Sequence, residues 1–148
     1  MATKIFVNLP VRDLDVSMNF FKKLGYSFNP QFTDDTAACM VVAEDIYVML
    51  LTHKKFGEFT PRPIADANAS TEVLTCLSFD SREEVDRITN TATGSGGYEA
   101  RPATDYGFMY GRSFSDPDGH IWEAIWMDPS FVKSEQQPGT QMETGTVA

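Results

Sequence analysis

Histidine and cysteine are scarce in this chain, two of each among 148 residues. Cys39 and Cys76 lie in the apolar runs "AACMVV" and "LTCLSF", with no CxxC pair and no spacing of a secreted disulfide framework. That excludes a cysteine-built zinc site and predicts two buried thiols in a reducing compartment. Basic residues are also few: 12 Lys and Arg stand against 21 Asp and Glu, giving a formal charge of −9. Phosphate backbones require clustered cations, so a nucleic-acid partner is excluded, whereas a cationic small molecule would be attracted. No apolar run approaches the roughly 18 residues that span a bilayer. The opening "MATKIFVNLPV" also lacks the basic and apolar regions of a signal peptide. These absences predict a cytoplasmic protein without a membrane partner. GxxxxGK[ST], a nucleophile elbow and HExxH are all missing.

Present instead is enough apolar material for one domain, 42% hydrophobic residues with eleven Phe. An internal repeat organises it: "LPVRDLDVSMNFFKKLGY" and "LSFDSREEVDRITNTATGSGGY" each run from an apolar strand through an amphipathic stretch to Gly-Tyr. In the first copy Val16, Phe20, Phe21 and Leu24 fall at helical spacing, Asp13 or Asp15 caps the start, and Gly25 stops the helix. In the second, Ser81 and Glu84 form a capping box ahead of Val85, Ile88 and Ala92. Strand-like segments follow each helix: "YSFNPQF", "TAACMVVA" and "IYVMLLT", then a short piece near "GYEA", "GFMYGRSF" and "HIWEAIWM".

The chain therefore reads as an α+β domain of two βαβββ repeats forming a curved mixed sheet. The domain spans residues 1–133, with repeat 1 at about 3–53, a linker at 54–71 and repeat 2 at about 72–128. Residues 134–148, "SEQQPGTQMETGTVA", are polar and predicted to be disordered. "GSGG" at 94 to 97 follows a helix and is a stop, not a phosphate loop. "DPDG" at 116 to 119 is turn chemistry, with Pro fixing φ and Gly119 taking the left-handed position.

"FVNLPVRDLDVSMNFFKKLGY" and "GRSFSDPDGHIWEAIWMD", with the two halves between them, resemble the vicinal oxygen chelate superfamily, which includes glyoxalase I, bleomycin- and fosfomycin-resistance proteins and extradiol dioxygenases. The likeness covers residues 3 to 128 and is nearest to bacterial proteins described as lactoylglutathione lyase-like. It implies a homodimer. Metal-dependent members hold a divalent ion at four positions, and carried onto this chain these fall on Phe6, Leu50, Leu74 and Glu123. Three of the four are hydrocarbon and offer no lone pair, so no complete metal site and no cofactor is expected. The resemblance leaves one alternative open: a glyoxalase-type lyase or isomerase that completes a Ni, Zn, Mn or Fe shell around Glu123, with Asn8 as a weak oxygen donor. A dioxygenase would need two His and one carboxylate where this chain has Leu, Phe and Glu.

Strand alternation then builds the expected pocket. If Glu123 faces a cup between the halves, Ile121 and Ile125 flank it, Phe6 and Asn8 come from the first strand, Val48 and Leu50 from the fourth, and Leu74, Cys76 and Ser78 from the fifth. Trp122 and Trp126 turn away to pack against helices. Two hairpin registers place Gly111 or Arg112 across from Glu123. An Arg112 pair would make the carboxylate an ionised anchor; without it, burial would raise its pKa and make it a candidate base or a counter-charge. Tyr106, Phe108, Tyr110, Phe56 and Phe59 sit at loops and strand ends, where they would close over a ligand or form a dimer seam. The expected function is binding of a small organic ligand in an apolar cup, with Phe6, Asn8, Val48, Leu50, Leu74, Cys76, Tyr110, Arg112 and Glu123 lining it.

Overall fold

Alternation along "IFVNLPV" decides the first layer. Strand β1 (Ile5–Val11) turns Val7, Leu9 and Val11 toward the interior and Phe6, Asn8 and Pro10 the other way. The computed structural model describes residues 3–132. Helix α1 (Leu14–Lys23) begins at Asp13, whose carboxylate accepts from the Val16 amide at 3.2 Å, and ends before Gly25 at φ 108°. Then come β2 (Ser27–Phe28), a 3-10 turn at Pro30–Phe32, β3 (Ala37–Ala43), β4 (Ile46–Thr52) and the short helix α2 (His53–Gly57). The second half repeats the order: β5 (Leu74–Ser78), α3 (Arg82–Thr93), β6 (Thr104–Asp105), β7 (Met109–Ser115), β8 (Ile121–Met127) and α4 (Pro129–Val132). Ser81 caps α3 by accepting from the Glu84 amide at 3.1 Å.

Each half is a four-stranded mixed sheet, ordered β1-β4-β3-β2 and β5-β8-β7-β6. In both, the first strand lies parallel to the fourth, which requires the helix as crossover. The strands form two four-stranded mixed sheets in which β1 and β5 are edge strands. This is the expected α+β architecture of two βαβββ units, with one correction. The short strand expected near "GYEA" lies at Thr104–Asp105 instead, and Glu99 makes only an isolated bridge to Phe114.

One core joins the halves. Phe20 and Phe21 of α1 pack against Phe114 and Trp122 of the second sheet, with ring centroids 6.3 Å apart for Phe20 and Phe114 and 5.1 Å for Phe21 and Trp122. Val85, Ile88 and Ala92 of α3 complete it. The turn after β7 latches the halves together: the Arg12 amide donates to Asp118 at 2.8 Å, the Ser17 hydroxyl to the same carboxylate at 3.2 Å. A ring nitrogen of His120 lies 2.7 Å from the Pro10 carbonyl oxygen. The tail expected to be disordered lies outside the described residues. No helix among the described residues is long and apolar enough to cross a membrane.

Candidate functional site

Strand partners share a sheet face, so the register assigns every expected site residue. Phe6, Asn8 and Pro10 pair with Tyr47, Met49 and Leu51 on the face turned away from α1, here called the open face. Leu74, Cys76 and Ser78 pair with Ile121, Glu123 and Ile125 on the open face of the second sheet. Phe6, Asn8, Leu74, Cys76 and Glu123 therefore lie on open faces, as alternation from Glu123 requires.

Four expected lining residues do not. Val48 and Leu50 are 1% and 0% exposed in the shared core, because the parallel register sets Met49, and not Leu50, beside Asn8. Tyr110 and Arg112 pair with Trp126 and Ala124 on the helix side. There the Tyr110 hydroxyl donates to Asp86 at 2.6 Å, and Arg112 bonds Asp86 at 2.9 Å and Glu99 at 3.0 Å. These two carboxylates raise the pKa of Arg112 further and hold it charged. Trp122 and Trp126 are on this side too, as expected, and Arg82 lies over the Trp126 ring at 5.2 Å.

Neither expected hairpin register forms. Ser113 faces Glu123, since the loop spans five residues, Asp116 to His120, and carries one more residue than the nearer alternative allows. Asp116 makes that loop: its Oδ1 accepts from the Asp118 amide at 2.9 Å and the His120 amide at 3.0 Å.

The outcome is a polar rung across three strands, Cys76, Glu123 and Ser113, on a face that carries Ile121 and Ile125 on either side. Arg101 reaches Glu123 at 3.5 Å. This guanidinium is 59% exposed against 19% for Glu123, so the pair contributes about 0–1 kcal/mol. Cys76 is exposed, contrary to the expectation of two buried thiols, since β5 is an edge strand; Cys39 is buried. Desolvation, then the charge and hydrogen bond of Glu123, push the Cys76 thiol up, which keeps it protonated and non-nucleophilic at neutral pH. The Ser113 hydroxyl is buried and has no hydrogen-bond partner among the described residues, a state that costs about 1–3 kcal/mol.

A divalent metal does not fit these residues. At the positions the resemblance named, Phe6 and Leu74 bring hydrocarbon, and the fourth strand turns Met49 outward in place of buried Leu50. Glu123 and Cys76 are adjacent, but no group of three or more His, Cys, Asp or Glu side chains gathers among the described residues. A protein-held Zn²⁺ takes at least three such ligands.

Sequence reading did not anticipate the role of the linker. Residues 60–73 fold across the junction of the halves and wall a cleft of 360 Å³ with Asn8, Pro10, His120 and Ile121 on its other side. A second cavity of 440 Å³, formed by Asn8, Leu51, Phe56, Phe59 and Thr60, shares Asn8, Phe56 and Thr60 with it. Among the described residues, the one hydrogen bond that the Asn8 side-chain amide donates is a long one, 3.4 Å to the Phe6 carbonyl. Of the other expected aromatics, Tyr106 stacks on Phe108 with centroids 6.2 Å apart, and Phe108 stacks on Phe131 at 4.7 Å. The clue to the linker was its run of short apolar residues, Ile64, Ala65, Ala67 and Val73 among polar ones.

A family profile described as bleomycin resistance protein-like N-terminal matches residues 3–43. Solved structures extend the likeness over both halves. The hypothetical protein SA1046 from S. aureus is 29% identical, with TM-score 0.72, covering 85% of this chain and 95% of that one. A glyoxalase/bleomycin resistance protein/dioxygenase family enzyme from Burkholderia phytofirmans PsJN is 14% identical, with TM-score 0.70 over 85% of this chain and 99% of its own. The fosfomycin resistance protein FosX from Mesorhizobium loti is also 14% identical, with TM-score 0.64 over 90% and 98%. The chain has the fold of the glyoxalase/bleomycin resistance/dioxygenase proteins, and its first repeat is similar in sequence to the bleomycin resistance protein-like N-terminal family. No curated protein sequence matches it. Of the four positions that the resemblance assigned to a metal only Glu123 carries a charged donor, and the cleft lies at the junction of the two repeats.

Proposed function

We propose that this protein binds a small organic molecule in the cleft floored by Asn8, in the manner of a bleomycin-resistance-type binding protein and without a metal centre. The observation that carries it is the cleft itself. Its 360 Å³ falls within the range of small-ligand sites, and apolar walls from Pro10, Ile64, Val73 and Ile121 surround a few polar groups, chiefly Asn8, Thr75 and His120. Asn8 serves both cavities, and its side chain, with one weak bond, has hydrogen-bonding capacity to spend on a ligand.

A homodimer suits this reading. Ile5 and Phe6 are 54% and 50% exposed on the edge strand β1, a surface a second copy would cover. Two free cysteines and the acidic surface fit a reducing, cytoplasmic setting.

The test is a fragment screen by ligand-observed NMR on the full chain, repeated on Asn8→Leu. Fragments that perturb amides of β1 and residues 60–73, and lose affinity in the variant, support the cleft as the seat. A screen whose hits bind Asn8→Leu equally well would place the function elsewhere.

A further inference from the structure

The rung Cys76, Glu123 and Ser113 does not line the Asn8 cleft and has a chemistry of its own. Glu123 supplies an acceptor carboxylate that is largely screened from solvent, and the buried Ser113 hydroxyl beside it has no partner among the described residues. Cross-strand neighbours stand about 5 Å apart, so one small polar group can bond both. Ile121 and Ile125 flank Glu123 on the same strand face, and Leu74 pairs with Ile121. A carboxylate and a hydroxyl bounded by hydrocarbon match a cationic head carrying an apolar tail.

The protein already places a cation there. The Arg101 guanidinium lies 3.5 Å from Glu123, too far for a close ion pair, and also bonds the Thr104 hydroxyl at 3.1 Å. Being mostly exposed, it can swing into solvent at little cost.

We propose that the Cys76–Glu123–Ser113 rung is a binding seat for the ammonium group of an apolar primary amine, with Arg101 occupying the cation position when the seat is empty. The ammonium donates to the Glu123 carboxylate and to the Ser113 hydroxyl oxygen, and the tail lies along Ile121, Ile125 and Leu74. A compact ammonium with three donors fits between the two groups better than the planar guanidinium of Arg101. The chain's formal charge of −9 favours the approach of such a ligand.

Phenethylamine is the probe, titrated into the isotope-labelled full chain with 2-phenylethanol as the uncharged control. Amide shifts should centre on Cys76, Ser113 and Glu123, with 2-phenylethanol at least about tenfold weaker, the difference expected from one lost charged hydrogen bond. Glu123→Gln, which keeps the shape, should weaken the amine about tenfold or more. Ser113→Ala should weaken it several-fold, and Arg101→Ala should strengthen it by removing the competitor. Equal binding of amine and alcohol, an Arg101→Ala variant that binds more weakly, or shifts confined to the surroundings of Asn8 would each overturn the proposal, as would no binding at millimolar amine. If Glu123→Gln does not fold, the comparison of the two ligands on wild type and Arg101→Ala decides the matter. Asn8→Leu should leave the amine titration unchanged, so failure of the cleft and failure of this seat are separable.

Discussion

The indole Nε1–H of Trp122 donates to the Asp116 carboxylate at 3.1 Å, and both residues are buried. The other oxygen of that carboxylate accepts the Asp118 and His120 amides, so one side chain ties the core indole to the backbone of the loop that sets the β7–β8 register. Burial nevertheless pushes the Asp116 pKa up.

Replacing that carboxylate should be costly. Asp116→Ala leaves three donors without their acceptor and should lower stability by about 2–4 kcal/mol in urea denaturation. Asp116→Asn can keep the two backbone bonds but turns an amide N–H toward the Trp122 N–H, and should lose about 1–2 kcal/mol. A midpoint unchanged in Asp116→Ala would refute the structural role assigned to this group.

Asp118 gives a prediction about the contact between the halves. It accepts the Arg12 amide at 2.8 Å and the Ser17 hydroxyl at 3.2 Å, with the Arg12 guanidinium at 3.3 Å. Asp118→Ala should cost about 1–3 kcal/mol. Hydrogen exchange at the Arg12 amide should accelerate far more than at amides in the middle of β3. Uniform acceleration throughout would mean that Asp118 does not act as a local latch.

Acid should weaken the protein through carboxylates held by the second half. Two bonds of 2.9 Å from Arg82, followed by the Gly107 amide, lower the Asp105 pKa from 3.8 to about 2. The Tyr110 hydroxyl and then Arg112 lower that of Asp86. A depressed folded pKa means stability that is fully present above the ordinary carboxylate value and lost as pH falls through the folded one. Stability should therefore decline between about pH 4 and pH 2, and Asp105→Asn should make the decline shallower. Parallel curves for the variant and wild type would contradict the Arg82–Asp105 assignment.

Metal content offers a separate check. Protein purified without a chelating tag and incubated with Ni²⁺, Zn²⁺, Mn²⁺ or Fe²⁺ should retain far less than one equivalent by elemental mass spectrometry, since Glu123 and Cys76 are the only charged or thiol donors brought together on the open face of β5 and β8. Stoichiometric retention that disappears in Glu123→Ala would revive metal-dependent lyase chemistry at this face.

The repeat, the helices and their ends were legible in the sequence because their causes are local. Asp13, Ser81 and Gly25 act within a few residues of where they stand, and the stripe Val85, Ile88, Ala92 needs only helical spacing to be recognised. The placement of Glu123 on the cup face came as a condition with the resemblance, and strand alternation then carried its neighbours with it. The fourth strand had no local marker. "IYVMLLT" is apolar at every position but its last, so its two faces cannot be told apart until the parallel register with β1 buries Val48 and Leu50 and turns Tyr47 and Met49 outward. Arg112 went to Asp86 and Glu99 instead of Glu123 because the hydrogen bonds of Asp116 lengthen the hairpin loop, and one residue of register exchanges the faces. Local periodicity and capping determine the elements; contacts between residues distant in sequence decide which faces meet, what the linker covers, and that Ser113 stands beside Glu123.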